Sequence, residues 1–122
     1  MNDEIKLLFV DDEEPLRILV KNQLLLEGFA VDTTDDGDTA IEALKKNTYD
    51  VVLLDIRMPR LNGIEVLKFM KQNKMRPRIV MLTAVDDLAV AIEAVKAGAN
   101  DYVTKPYDLD KLLGCIRRVL AK

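Results

Sequence analysis

Short apolar runs alternate along this chain with segments in which apolar residues recur every three or four positions. The runs predict β-strands and the periodic segments predict helices. Strands are expected near 6–10, 29–33, 51–54, 78–82 and 101–104, and helices near 14–27, 38–47, 64–73, 87–97 and 108–121. Five successive βα units of this kind predict an α/β fold with one parallel sheet.

The strands differ in how evenly apolar they are. The runs LLFV, VVLL and IVML are apolar throughout, as strands covered on both faces should be, whereas FAVDTT is mixed and predicts an edge strand. Pro15 suits the first turn of a helix, and Asp36-Gly37 predicts a tight turn. Cys115 falls within the amphipathic pattern of the last helix, which predicts a buried structural thiol.

Length and composition limit what the chain can be. A length of 122 residues predicts one domain, spanning 1–122, with no room for a second. No apolar stretch reaches the length of a membrane span, and the acidic start MNDEIK lacks the features of a signal peptide. We therefore expect a cytoplasmic protein that does not contact membranes.

The sequence contains one cysteine and no histidine. An internal disulfide, a zinc site of thiolates and imidazoles, and a Ser-His or Cys-His catalytic pair are therefore excluded. The net charge of −3 offers no general attraction for nucleic acid, whose phosphates require a basic surface. We expect no direct contact of this domain with DNA or RNA.

Polar residues follow four of the predicted strands. Asp11 and Asp12 come after the first, Asp55 after the third, Thr83 after the fourth and Lys105 after the fifth. The carboxyl ends of parallel strands share one edge of the sheet, where such folds bind ligands. These five side chains are therefore expected to meet in one crevice.

Converging carboxylates repel one another unless a cation intervenes. Oxygen donors without histidine or thiolate favour Mg²⁺ or a similar ion. The simpler alternative is that the acidic run after the first strand only caps the following helix, where negative charge is favourable. A carboxylate such as Asp55 can also attack phosphorus, with Lys105 and Thr83 as clamps for phosphoryl oxygens.

Taken together, these residues resemble the motif set of response-regulator receiver domains. The resemblance rests on Asp11-Asp12, on Asp55 followed by Met58-Pro59 and Gly63, on Thr83-Ala84, and on the run DYVTKP at 101–106. It covers essentially the whole chain in the right order. It implies a flavodoxin-like (βα)₅ fold with a parallel sheet of order 2-1-3-4-5.

The resemblance also implies a mechanism. Asp55 would accept a phosphoryl group from a sensor histidine kinase, so that the protein catalyses its own Mg²⁺-dependent phosphorylation and dephosphorylation. Mg²⁺ would be held by Asp12, Asp55 and the main-chain carbonyl of Arg57, with Asp11 bound through water. Thr83, Lys105 and backbone N–H groups near Arg57 and Ala84 would bind the phosphoryl oxygens, and Lys105-Pro106 would be a cis peptide, which X-Pro bonds adopt at modest cost.

A conformational switch follows from the added charge. The phosphoryl group would draw Thr83 inward and leave space for Tyr102 to turn inward. By resemblance this couples the crevice to the face formed by the fourth helix, fifth strand and fifth helix. That face would include Asp87, Val90, Ala91, Ala94, Tyr102 and Tyr107, whereas Tyr49 and Phe69 are assigned to packing.

Family members differ in phosphoryl lifetime through the residues two past the acceptor and two past the threonine, here Arg57 and Val85. Neither side chain is a carboxylate or carboxamide that could orient a hydrolytic water. The resemblance therefore implies slow self-dephosphorylation.

Three alternative functions compete with the receiver assignment. Dehalogenase-like phosphohydrolases also form an aspartyl phosphate, but they place a general-acid aspartate where Arg57 stands. A flavin or nucleotide binder would need a glycine-rich or hydroxyl-rich turn after the first strand, where this chain has DDEEP. A degenerate receiver that acts as a constitutive interaction module remains as an alternative.

The biological context is open. The chain ends where the fifth helix should finish, and the stretch at 88–113 looks like receivers that precede AAA+ transcription activators, as well as many others. We favour a fragment of a longer regulator with an output domain in cis, while a stand-alone regulator would bind a target protein in trans. Dimerisation on phosphorylation is a further expectation.

Overall fold

The computed structural model describes residues 4–58 and 61–121. Pro59, which belongs to the motif after Asp55, and Lys122 lie outside the described residues. Five strands form one parallel sheet: β1 (Lys6–Val10), β2 (Ala30–Thr34), β3 (Val51–Asp55), β4 (Arg78–Thr83) and β5 (Asp101–Thr104). The strand order is β2-β1-β3-β4-β5. This confirms both the predicted order and the edge position of the mixed strand.

Helices follow the strands as predicted, within one residue at each end. They are α1 (Glu14–Leu26), α2 (Gly37–Lys46), α3 (Gly63–Gln72), α4 (Leu88–Lys96) and α5 (Leu109–Ala121). Pro15 lies in the first turn of α1, as expected. A single 3₁₀ turn, Val85–Asp87, precedes α4, so the predicted start of that helix at residue 87 is one residue early.

The helices form two layers, one on each face of the sheet. One core packs α2, α3 and α4 against the face that carries Leu8, Val52 and Met81. The other packs α1 and α5 against the face that carries Leu7, Leu53 and Leu82. Successive strand residues point to opposite faces, so a strand with both sides covered must be apolar throughout.

Several predicted packing residues lie where expected. Cys115 is fully buried, and burial raises the pKa of its thiol to about 12, with the nearby Asp101 carboxylate adding to the rise. Tyr49 is buried and Phe69 partly buried in the core under α2 and α3. The Tyr49 hydroxyl also donates a hydrogen bond of 2.7 Å to Asp32.

Two predictions are wrong. Asp36-Gly37 is a helix start rather than a tight turn, because Asp36 caps α2 by accepting from the Thr39 N–H and Gly37 is already helical. A side chain at Gly37 would overlap the Leu61 carbonyl, so close approach explains this glycine. Ala91 and Ala94, expected on the signalling face, are buried in the core because they lie on the inner side of α4.

Candidate functional site

Three aspartates meet at the carboxyl edge of the two central strands. Asp11 and Asp12 follow β1 directly and Asp55 ends β3, and these strands are hydrogen-bonded neighbours with Val10 opposite Leu54. One carboxylate oxygen from each aspartate lies within 4.8 Å of the others. Asp11 and Asp55 are buried, whereas Asp12 is exposed at the rim. The predicted convergence of the carboxylates is therefore present.

Lys105 supplies the positive charge of the crevice. Its Nζ donates to Asp11 Oδ2 at 2.9 Å and to Asp55 Oδ2 at 3.2 Å. Glu13 Oε1 lies 3.5 Å from the same nitrogen, a contact that the sequence did not reveal. Burial works to lower the pKa of Lys105, but the hydrogen bond to Asp11 and the charge of Asp55 outweigh it, so the pKa is raised. Lys105 is therefore a permanent cation shared by three carboxylates.

Two further hydrogen bonds hold Asp11 in place. Its Oδ1 accepts the N–H of Glu13 at 2.8 Å, and Arg17 Nη1 donates to its carbonyl oxygen at 2.8 Å. The acidic run does not cap α1 through a side chain of its N-cap residue, Glu13. A capping hydrogen bond from the Glu13 side chain is therefore not what the acidic run supplies to α1.

The pKa of the Asp55 carboxyl is strongly shifted. Burial raises the pKa of Asp55 from 3.8 to about 7; the charge of Lys105 works against this rise, and the charges of Asp11 and Asp12 add to it. A buried carboxylate with this pKa gains from any added cation. The donor set consists of carboxylates without histidine or thiolate, so the cluster fits a hard divalent cation such as Mg²⁺.

Gly63 packs closely against the end of β3. Gly63, the first residue of α3, has its N–H bonded to the Ile56 carbonyl at 2.9 Å. A Cβ at this position would overlap the carbonyl oxygen of Asp55. Asn62 closes the loop as the cap of α3, with its side chain accepting the Glu65 N–H at 3.0 Å. The motif glycine therefore holds α3 against the end of β3.

Thr83 ends β4, the strand next to β3, which ends at Asp55. It is fully buried, and its hydroxyl donates to the Ala84 carbonyl at 3.0 Å. The same carbonyl accepts the Asp87 N–H at 2.9 Å. Lys105 donates its backbone N–H to the Thr83 carbonyl at 2.7 Å. Thr83 is therefore tied through the backbone both to the turn before α4 and to Lys105.

Arg57 and Asp87 form an ion pair that sequence reasoning missed. Arg57 Nε and Nη2 donate to the two Asp87 oxygens at 2.8 and 2.6 Å. The hydrogen bond from Arg57 lowers the pKa of Asp87. The two residues are 30 positions apart, and only the adjacency of β3 and β4 brings them together. The pair links the loop after Asp55 to the start of α4.

The two tyrosines expected on the signalling face lie on opposite sides of the sheet. Tyr102 is partly buried against the core under α4. Tyr107 instead packs against the core under α1 and α5, on the α5 side of the face predicted from the fourth helix, fifth strand and fifth helix. The chain turns at Lys105–Pro106, whose peptide bond is cis, before it reaches Tyr107.

Several cavities of similar size open on the surface of the described residues. One of about 570 Å³ opens beside the crevice and is lined by Asp12, Arg57, Met58, Asn62 and Asp87 among others. Another of about 570 Å³ lies among Leu44, Tyr49, Met75 and Leu120 and includes none of the crevice side chains. The chemistry of the crevice makes the first cavity the candidate site. No helix among residues 4–58 and 61–121 is long and apolar enough to cross a membrane.

Comparison with known proteins agrees with this geometry. A model of the response regulator receiver domain family matches residues 7–117. The chain is 36% identical over 116 residues to chemotaxis protein CheY of Bacillus subtilis, covering 94% of this chain and 97% of that protein. It is 39% identical over 115 residues to regulatory protein AtoC of Escherichia coli K12, covering 94% of this chain but only 25% of that protein.

Solved structures give the same result. The receiver domain of NtrX from Brucella abortus matches with a TM-score of 0.89 and 32% identity, covering 95% of this chain and 98% of that one. The chain spans about half the length of response regulator ArlR of Staphylococcus saprophyticus, 53%, and a quarter of AtoC. It is thus similar to whole proteins in some cases and to a part of longer ones in others.

Proposed function

Because the chain belongs to the response regulator receiver domain family, we propose that Asp55 is the residue that accepts the phosphoryl group. Response regulators receive phosphoryl groups from histidine kinases and pass the signal to output domains. Among the described residues, the observation that carries the assignment is the meeting of Asp55 with Asp11, Asp12 and Lys105 at one sheet edge.

The chemistry is a transfer of phosphorus from nitrogen to oxygen. A carboxylate oxygen of Asp55 attacks the phosphorus of a phosphohistidine, the P–O bond forms as the P–N bond breaks, and the imidazole leaves. Asp55 must be ionised to attack, and its raised pKa of about 7 means that added positive charge promotes the reactive form. Lys105 is already placed to hold one phosphoryl oxygen, since its Nζ lies 3.2 Å from the acceptor carboxylate.

The family generally binds Mg²⁺ at an acidic pocket. Here Asp12, Asp55 and the Arg57 carbonyl would hold the ion directly and Asp11 would hold it through water. When bound, Mg²⁺ neutralises charge on the phosphoryl oxygens. Asp12 is the exposed member of the cluster, so it can exchange water for a cation without a rearrangement of the core.

Thr83 and the backbone N–H groups near Arg57 and Ala84 would complete the phosphoryl site. To reach a phosphoryl oxygen, the Thr83 hydroxyl must leave the Ala84 carbonyl, which it now contacts at 3.0 Å. That carbonyl also holds the Asp87 N–H, so the turn before α4 responds to the same event. Tyr102, which packs beneath α4, would then turn inward. The surface of α4, β5 and α5 is the expected signalling face.

The partners follow from this role. They are a sensor histidine kinase and either an output domain in cis, such as a transcription activator, or a target protein in trans, with dimerisation on phosphorylation. We place the protein in the cytoplasm and treat 1–122 as one receiver domain.

The test uses acetyl phosphate as a small-molecule donor. The purified chain and Asp55→Asn are incubated with and without Mg²⁺ and followed by intact mass. A Mg²⁺-dependent gain of one phosphoryl group that disappears in the variant supports the proposal. Absence of any gain would instead favour a constitutive interaction module.

A further inference from the structure

Tyr107 carries a polar group that its packing does not explain. Its ring packs against the core under α1 and α5, a role that phenylalanine would fill equally well. Its hydroxyl oxygen is buried and has no hydrogen-bond partner within residues 4–58 and 61–121. A buried donor without a partner costs free energy, and such exceptions in a folded protein call for an explanation.

The surroundings of Tyr107 are those of the crevice. It follows Lys105 by two residues and lines a cavity of about 280 Å³ together with Glu13, Leu16, Lys105 and Pro106. Burial raises the pKa of Tyr107, with Asp11 adding to the rise, Lys105 opposing it, and Asp55 and Glu13 adding further. The hydroxyl therefore keeps its proton in a field dominated by carboxylates, and it can serve them as a neutral donor.

Asp11 is the carboxylate that will need such a donor. Its Oδ1 is held by the Glu13 N–H at 2.8 Å, while its Oδ2 depends on Lys105 Nζ at 2.9 Å. The phosphoryl group on Asp55 would carry about −1.5 to −2 charges in place of the single negative charge of the carboxylate, and this added charge draws the shared Lys105 ammonium away from Asp11. Asp11 is fully buried, so its Oδ2 would lose the side-chain donor that it has among the described residues.

We propose that Tyr107 is a positioning residue. When Lys105 turns to the phosphoryl group, the Tyr107 hydroxyl replaces it as the hydrogen-bond donor to Asp11 Oδ2, directly or through one water. This inference rests on the proposed function of Asp55. In the resting state the hydroxyl has no partner in the described part of the chain, because its partner becomes available only in the phosphorylated state. Tyr107 thus acts through Asp11 and does not touch the phosphoryl group itself.

The test compares Tyr107→Phe with Tyr49→Phe. Beryllium trifluoride, a phosphoryl analogue, is titrated into each protein in the presence of Mg²⁺ by calorimetry, and Tm is measured without either ligand. Tyr107→Phe is expected to weaken binding by about tenfold, the value of one hydrogen bond to a charged group. Its Tm should equal or exceed that of the wild type because an unpaired hydroxyl is removed.

Tyr49→Phe supplies the matched control, since it removes a hydroxyl that bonds Asp32 at 2.7 Å in a part of the fold away from the crevice. It should lower Tm and leave binding within twofold of wild type. Binding of Tyr107→Phe within twofold of wild type, or a loss of Tm in Tyr107→Phe like that of Tyr49→Phe, would overturn the inference. If the wild type itself does not bind the analogue, the proposed function fails, and the role of Tyr107 fails with it.

Discussion

Replacing Asp55 with asparagine should stabilise the protein in the absence of metal, although it removes the proposed phosphoryl acceptor. Burial raises the pKa of the Asp55 carboxyl from 3.8 to about 7. The charge of Lys105 opposes this rise, and the charges of Asp11 and Asp12 add to it. Below pH 3.8 the carboxyl is protonated in both the folded and the unfolded protein, so it does not lower the free energy of unfolding. As the pH rises to about 7 the unfolded chain releases its proton first, and the free energy of unfolding falls.

The magnitude follows from the two pKa values. At about 1.4 kcal/mol for each pKa unit, the difference between 3.8 and about 7 corresponds to an upper limit of about 4 kcal/mol. Water at the open rim, where Asp12 is exposed, screens part of this cost, so we expect about 2–3 kcal/mol above pH 7. Lys105 keeps its contact with Asp11 at 2.9 Å in the variant, so its charge is not left unpaired.

The assay is urea denaturation of wild type and Asp55→Asn at pH 5 and pH 8, in EDTA and in Mg²⁺. The advantage of the variant should grow from about 1 kcal/mol at pH 5 to the full value at pH 8. Mg²⁺ should reduce the difference because it binds only the folded wild-type cluster with full strength. Glu42→Gln, at an exposed position on α2, should show no such dependence. Equal or lower stability of Asp55→Asn at pH 8 in EDTA would refute the reasoning.

Three further outcomes are expected. Gly63→Ala should lower the free energy of unfolding by about 1–3 kcal/mol, because its Cβ overlaps the backbone at the end of β3. The control Gly114→Ala, which has room within α5, should raise the free energy of unfolding by about 0.5–1 kcal/mol. A Gly63→Ala protein as stable as the wild type would contradict the close-packing argument. Asp87→Asn should break the ion pair with Arg57 and speed amide hydrogen exchange in the turn before α4, whereas unchanged exchange would show that the pair does not restrain it. Since neither Arg57 nor Val85 can orient a hydrolytic water, a phosphate-release assay should show slow self-dephosphorylation, and a half-life of seconds would argue against it.

The chain itself encodes the elements and the strand ends. Continuous apolar runs can be satisfied only by strands covered on both faces, and the helical periodicity at α1 and α5 can be satisfied only by burial of one helix face. Once the strands are parallel, their polar ends must share an edge. The convergence of Asp11, Asp55 and Lys105 could therefore be predicted without coordinates.

The tertiary structure decided which side chains face one another across loops. The pair Arg57–Asp87 depends on β3 and β4 being neighbours, and nothing near either residue in the sequence signals it. The side of the sheet on which Tyr107 packs is set by how the chain turns after Lys105, and the burial of Ala91 depends on the rotation of α4 about its axis. Local periodicity determines which face of an element is apolar, but contacts between loops depend on the packing of elements that are distant in sequence, which no local pattern records.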